Sequence, residues 1–163
     1  MRHVFWLERG MLAGRAGPDQ SPWCAADLQA GGFGAVLSVN DGAACDAEDF
    51  HALGMSYRCI PLSDNAPPGD GDLEHCLAVL PRAYDYVCEE LASSRPVLVH
   101  CTSGKDRTGL FMCYYLMRGS RLAIGDAIAR VRRVRPIALS AEGWDEFASR
   151  VLAAAAQAGV ARP

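Results

Sequence analysis

From His3 to Arg15 apolar residues alternate loosely with polar ones, and the run closes on Gly14 and Gly17-Pro18. That rhythm predicts an edge strand or a hairpin. Ser21-Pro22 then reads as a helix start with Pro22 at the first helical position, and Gly31-Gly32 stops the helix after Ala30. Ala35 to Val39 (AVLSV) is an unbroken apolar run between Gly34 and Asn40-Asp41-Gly42, the pattern of a strand covered on both faces. Asp46 to Leu53 predicts a short helix ended by Gly54, and Met55 to Leu62 another strand. The segment SDNAPPGDGD that follows is too rich in Pro, Gly and Asp for regular structure.

Leu73, Leu77, Leu80, Tyr84, Val87 and Leu91 recur at steps of four and three, which predicts one long amphipathic helix that Pro81 should kink or split. Pro96 opens PVLVH, a second fully apolar strand. Thr108 to Met117 is apolar nearly all round and therefore belongs in the centre of the domain. Leu122 to Val134 predicts a helix with Ile124, Ala127, Ile128, Val131 and Val134 inward. Trp144, Phe147, Val151 and Leu152 outline a last one. The domain is expected to occupy residues 1–152, with 153–163 an Ala-rich, fraying tail. Strands alternating with helices imply a single α/β domain whose central, mostly parallel sheet is flanked by helices. Ligands bind such sheets where strands end and helices begin.

Composition narrows the picture. The 163 residues suit one domain, and half are apolar, enough for a substantial core. A net charge of −3 argues against a nucleic-acid binder, which would normally be basic. No stretch approaches the roughly 20 apolar residues of a bilayer span, and MRHVFWLERG is too short and too charged for a targeting signal, so a soluble cytoplasmic protein is expected. Seven cysteines, an odd number without a CxxC pair, argue against a disulfide framework. His75-Cys76 has no partner at zinc-site spacing. No metal or organic cofactor is implied, and oligomeric state is not legible.

The chemistry concentrates at one junction. Between strand PVLVH and the buried helix stand Cys101, Thr102, Ser103, Gly104, Lys105, Asp106, Arg107, Thr108 and Gly109. Free loop amides and a helix N-terminus offer donors and partial positive charge to a phosphate. Gly104 permits a turn that side chains would obstruct. Arg107 presents a planar fork matched to two phosphate oxygens. Helix N-termini and cationic neighbours can bring a thiol pKa down to roughly 3.5–7.5, which would make Cys101 a nucleophile aimed at phosphorus. A Walker A loop does not fit, because Asp106 follows Lys105 and Val99 stands at the first Gly position. A purely structural cysteine would not explain Gly, Lys, Arg and Thr arriving at one turn.

HCTSGKDRTG resembles the HCxxGxxRTG signature of the protein tyrosine phosphatase superfamily. Size, helical tail and the segment DAIARVRRVRP are similar to its atypical dual-specificity branch. The resemblance runs from the N-terminal strand to about Val151. It implies that Cys101 is the nucleophile and Arg107 the phosphate clamp. It further implies that Thr108 hydrogen-bonds the thiolate and assists hydrolysis of the intermediate, and that His100 orients the loop and helps keep the thiol acidic. Thr102, Ser103, Gly104, Lys105 and Asp106 would line the phosphate, with Asp106 turned away from it, toward Lys105 or an arginine.

The leaving oxygen needs a proton, and a carboxylic acid on a loop can supply it. Asp64 is the first candidate, standing just after strand MSYRCIPL and shortly before Pro67-Pro68; Asp70 and Asp72 compete, and all three could be turn residues. Lys105 resembles the loop lysine of phosphoinositide phosphatases, or else simply pairs with Asp106. Arg58, Arg132, Arg133 and Arg135 could border the pocket. The expected partner is a phosphorylated protein (phosphotyrosine, with phosphoserine or phosphothreonine) or, alternatively, a phosphoinositide or other polyphosphorylated small molecule. A non-catalytic phosphate-binding module is the third reading. An exposed thiolate would be sensitive to peroxide, with Cys88 or Cys113 as open choices of disulfide partner.

Overall fold

In the computed structural model, which describes residues 3–160, the strands are β1 (Phe5–Glu8), β2 (Leu12–Ala16), β3 (Ala35–Ser38), β4 (Ser56–Cys59) and β5 (Val97–Cys101). The helices are α1 (Ala25–Ala30), α2 (Ala47–Ala52), α3 (Asp72–Ala92), α4 (Asp106–Ser120), α5 (Ile124–Val134) and α6 (Trp144–Val160). The sheet order is β1-β2-β5-β3-β4. The N-terminal pattern resolves as a hairpin: β1 runs antiparallel to β2, and the other three pairings are parallel. β5 lies in the middle, with His100 opposite Arg15 on one side and Ser38 on the other.

Residue alternation divides the molecule into layers. Val36 and Leu98 join Leu28, Phe33, Phe50 and Met55 beneath α1 and α2. Leu37, Val97 and Val99 join the larger core formed with α3, α4 and α6. Because side chains alternate along a strand, His100 shares a face with Leu98, and Cys101 shares one with Val99. Helix α4, with Leu110, Phe111, Met112, Cys113 and Leu116 at 0% exposure, is the central helix its composition predicts.

Three elements depart from expectation. Helix α1 starts at Ala25 instead of Pro22, because Ser21 and Pro22 are committed elsewhere. Arg15 Nη2 donates to the Ser21 and Pro22 carbonyls at 3.4 and 3.3 Å, and Trp23 Nε1 donates to Ala16 O at 2.9 Å. Helix α3 is one continuous helix with Pro81 inside it, so the proline does not split it. A missing donor costs about 3 kcal/mol, and the buried face of Cys76, Val79, Leu80, Ala83, Tyr86 and Val87 outweighs it. Helix α6 runs through the alanine-rich segment to Val160, although its buried positions end at Val151 and Leu152.

Candidate active site

Strand β5 delivers Cys101 to its C-terminal end, and the chain then turns through Thr102–Lys105 into α4. The turn is tight. Gly104 has φ +58°, and a Cβ there would lie 2.6 Å from Ala16 N and against the Arg15 carbonyl, so this position requires glycine. Among the described residues the amides of Thr102 to Arg107 donate to no carbonyl or side chain. A ring of free amides at a helix N-terminus is an anion cradle, and Cys101 sits at its base. Thr108, also buried, donates its hydroxyl to Cys101 Sγ at 3.2 Å.

Arg107 extends from the first turn of α4 toward the loop after β4. Nε donates to Ser63 O at 2.5 Å and Nη2 to Asn65 O at 3.1 Å, while the guanidinium lies 5.0 Å over the Trp144 ring. Nη1 makes no hydrogen bond among the described residues and keeps its two donors. Asp106 faces away from the cradle: Oδ1 accepts from Ala141 N at 3.1 Å, and Oδ2 lies 3.7 Å from Lys105 Nζ.

His100 is fully buried on the opposite face of the sheet. Its Nε2 lies 2.6 Å from Ser38 Oγ, and Ser38 in turn contacts Tyr57 OH at 3.0 Å. Burial pushes the imidazole pKa down to about 4, only partly offset by the Cys101 backbone. A neutral ring brings no positive charge to the thiol.

The three candidate acids are separated by their contacts. Asp72, 8% exposed, opens α3 and accepts from Asn65 Nδ2 at 2.9 Å and from Gly69 N at 2.6 Å. These bonds hold its carboxyl below the usual range against an opposing burial penalty, and they commit it to the loop's shape. Asp70 is exposed. Asp64, also exposed, is reached from the cradle through one side chain. Asn40 Nδ2 donates to Asp64 Oδ1 at 2.8 Å, and Thr102 Oγ1 donates to Asn40 Oδ1 at 3.2 Å.

Of the four arginines considered from sequence, only Arg135 reaches the loop. Its Nε and Nη2 donate to the carbonyls of Gly104 and Ser103 at 3.1 and 2.9 Å, with the guanidinium 5.2 Å over Phe5. Arg58 lies over Tyr86, Arg132 pairs with Asp145, and Arg133 is exposed. Sequence reasoning missed Asn40 and Ser38. A signal existed: both stand at the C-terminal end of β3, next to β5, where α/β sheets gather ligands. In the sequence Asn40 stands in Asn40-Asp41-Gly42, where a turn is the stronger local signal.

A thiol at a strand end, a turn of amides without protein acceptors among the described residues and the N-terminus of α4, with Arg107 Nη1 left over from its bonds to the neighbouring loop, make an arrangement suited to an anion. Residues 20–147 match the family of the dual specificity phosphatase catalytic domain, and the chain belongs to that family. The chain is 32% identical to the dual specificity protein phosphatase CDC14AB of Danio rerio over 91 residues. That stretch is 56% of this chain and 13% of the relative, so the chain spans only a small part of that relative's length. Its fold is similar to that of Tk-PTP in the active form (TM-score 0.73, 20% identity, 93% and 97% of the two chains covered). It is also similar to PTPMT1 in complex with PI(5)P (TM-score 0.68, 16% identity, 93% and 98% covered). No helix among the described residues is long and apolar enough to cross a membrane.

Proposed function

We propose that this protein is a cysteine-dependent phosphomonoesterase of dual specificity that works through a phosphocysteine on Cys101. The observation that carries the reading is the Cys101 thiol beneath the unpaired amides of Thr102 to Arg107, with Thr108 donating to its sulfur. In the first step the Cys101 thiolate attacks phosphorus, the P–O ester bond breaks, and the leaving oxygen takes the Asp64 proton. In the second, water attacks the phosphocysteine, the S–P bond breaks, and the Asp64 carboxylate takes the proton of the water. Arg107 and the loop amides hold the equatorial oxygens throughout. The Thr108 hydroxyl steadies the departing thiolate. The catalytic unit is residues 1–152, and seven free thiols fit a reducing, cytoplasmic setting.

The test is hydrolysis of an aryl phosphate without added metal. Wild type is expected to turn over, Cys101→Ser to be inactive, and Asp64→Asn to be slowed about 10²-fold or more. Activity retained in Cys101→Ser would sink the mechanism. Phosphate binding without turnover by wild type would leave the binding module as the function.

One observation favours a polyphosphorylated substrate as the second reading. A groove of ≈ 470 Å³ beside the loop is lined by His3, Ser103, Lys105 and Arg135 among others, and so presents cations next to the cradle. The solved complex of PTPMT1 with PI(5)P is compatible with such a substrate. A panel of phosphotyrosine and phosphothreonine peptides against phosphoinositides separates the two readings by kcat/KM.

A further inference from the structure

We propose that Asn40 is a positioning residue that fixes which oxygen of Asp64 carries the catalytic proton; this rests on the reading of Asp64 as the general acid.

The chain of contacts is Thr102, Asn40, Asp64. Asn40 follows β3, and its backbone position is tied to the strand next to β5. Its side-chain amide has two chemically different ends. The Nδ2 end lies 2.8 Å from Asp64 Oδ1 and 3.3 Å from the Ser63 carbonyl oxygen. A carbonyl oxygen only accepts, so the NH2 group must face this pair. The Oδ1 end then faces Thr102 Oγ1 at 3.2 Å, and the hydroxyl rotates to donate. The amide orientation is thus set by its partners on both sides.

The consequence falls on the acid. A protonated carboxyl has one oxygen that donates and one that accepts. Oδ1 of Asp64 is already an acceptor for the Asn40 amide, so the proton resides on Oδ2. The carboxyl is also prevented from spinning about its terminal bond, which is otherwise broad and roughly two-fold. In the second step the same geometry leaves Oδ2 as the oxygen that receives the proton of the attacking water. Because Thr102 belongs to the cradle that would hold the phosphate, the acid is referenced to the phosphate through a single side chain. Asp64 is exposed, and no other side-chain hydrogen bond to its carboxylate exists among the described residues. Without Asn40 the proton would be distributed over both oxygens and several rotamers.

The experiment compares two substrates that differ in need for a proton: an activated nitrophenyl phosphate and plain phenyl phosphate. Asp64→Asn, Asn40→Ala, Asn40→Leu and the double variant Asn40→Ala/Asp64→Asn are assayed against wild type. The Leu exchange keeps the volume but removes the donor without placing a second carboxyl against Asp64, so it reports even where the alanine variant folds poorly. Both Asn40 variants are expected to lose about tenfold in kcat on phenyl phosphate, less than threefold on the nitrophenyl ester, and to keep KM within about twofold; general-acid contributions of roughly 10²–10⁴ set the ceiling. The double variant should be no slower than Asp64→Asn alone, since a residue acting only through Asp64 has nothing left to position. Equal losses on both substrates, a loss carried by KM, or additive losses in the double variant would overturn the proposal. If Asp64→Asn itself shows no dependence on the leaving group, the general-acid reading fails first and takes this one with it.

Discussion

His100 shows how one residue's environment decides its role. A ring held at a pKa of about 4 against an ordinary 6.5 is neutral in the folded protein and protonates when the chain unfolds in mildly acidic solution. The folded pKa is depressed and the charged form is the cation, so the unfolded state binds the extra proton between these values. Stability contributed by the neutral ring is therefore fully present above pH 6.5 and is lost as pH falls toward 4. The shift corresponds to about 3 kcal/mol across the window. Urea titrations from pH 7 to 4.5 should show wild-type stability falling more steeply than that of a His100→Asn variant, and parallel curves would refute the assignment. Cys113, buried in α4, is pushed up to about 12 by burial and stays a thiol, which disfavours it as a redox partner of Cys101. Cys45, 3.5 Å from His100 Nε2, is likewise pushed up to about 11.

At the scale of elements, the phosphate loop is held from outside by α5. Arg135, just past the end of that helix, donates to the carbonyls of Gly104 and Ser103 and so braces the turn from outside. Arg135→Ala is expected to lower kcat/KM on an aryl phosphate about tenfold or more and to weaken inhibition by inorganic phosphate in parallel. Arg135→Lys should recover little of either, since a point charge cannot span both carbonyls. Unchanged phosphate inhibition would show that the loop keeps its shape unaided. The elements themselves were legible in the sequence wherever periodicity was long: α3, α4 and α5, and the apolar runs of β3 and β5. The start of α1 was not, because Ser21-Pro22 carries a helix signal locally and is claimed by Arg15 from the strand just before it. Cys101, Arg107 and Thr108, the candidates from one short motif, come together at the turn between β5 and α4 because they are neighbours in sequence. Asn40 could not be found in this way, since it meets the loop across a gap of 62 residues that no local pattern records, and Arg135 was one of four candidate arginines that sequence alone did not separate.

For the whole molecule, the question is how much chain the fold needs. The last buried side chains are Val151 and Leu152; Ala153 to Ala155 are half-buried and the next three residues are exposed. Truncation after Leu152 removes two further turns of α6 but little of the core formed by Trp144, Phe147, Ala148 and Val151. The shortened protein should keep its hydrolytic rate and lose no more than about 3 °C in Tm, a loss near 1 kcal/mol for a domain of this size. A collapse in Tm would show that the alanine-rich turns close the ≈ 660 Å³ cavity that Ala155 and Ala156 line with Tyr84, Met117 and Leu122.

The central place of β5 has one more consequence. All five of its residues are buried, and both edges are paired, with β2 and with β3. Its amides are therefore the last to meet solvent when the domain breathes, opening only with the whole sheet. One residue later the chain carries six amides with no acceptor among the described residues. In deuterium exchange a boundary between slow and faster backbone is expected between Cys101 and Thr102. The sulfur is anchored to a strand buried along its whole length, while the amides that follow it lack protein acceptors among the described residues.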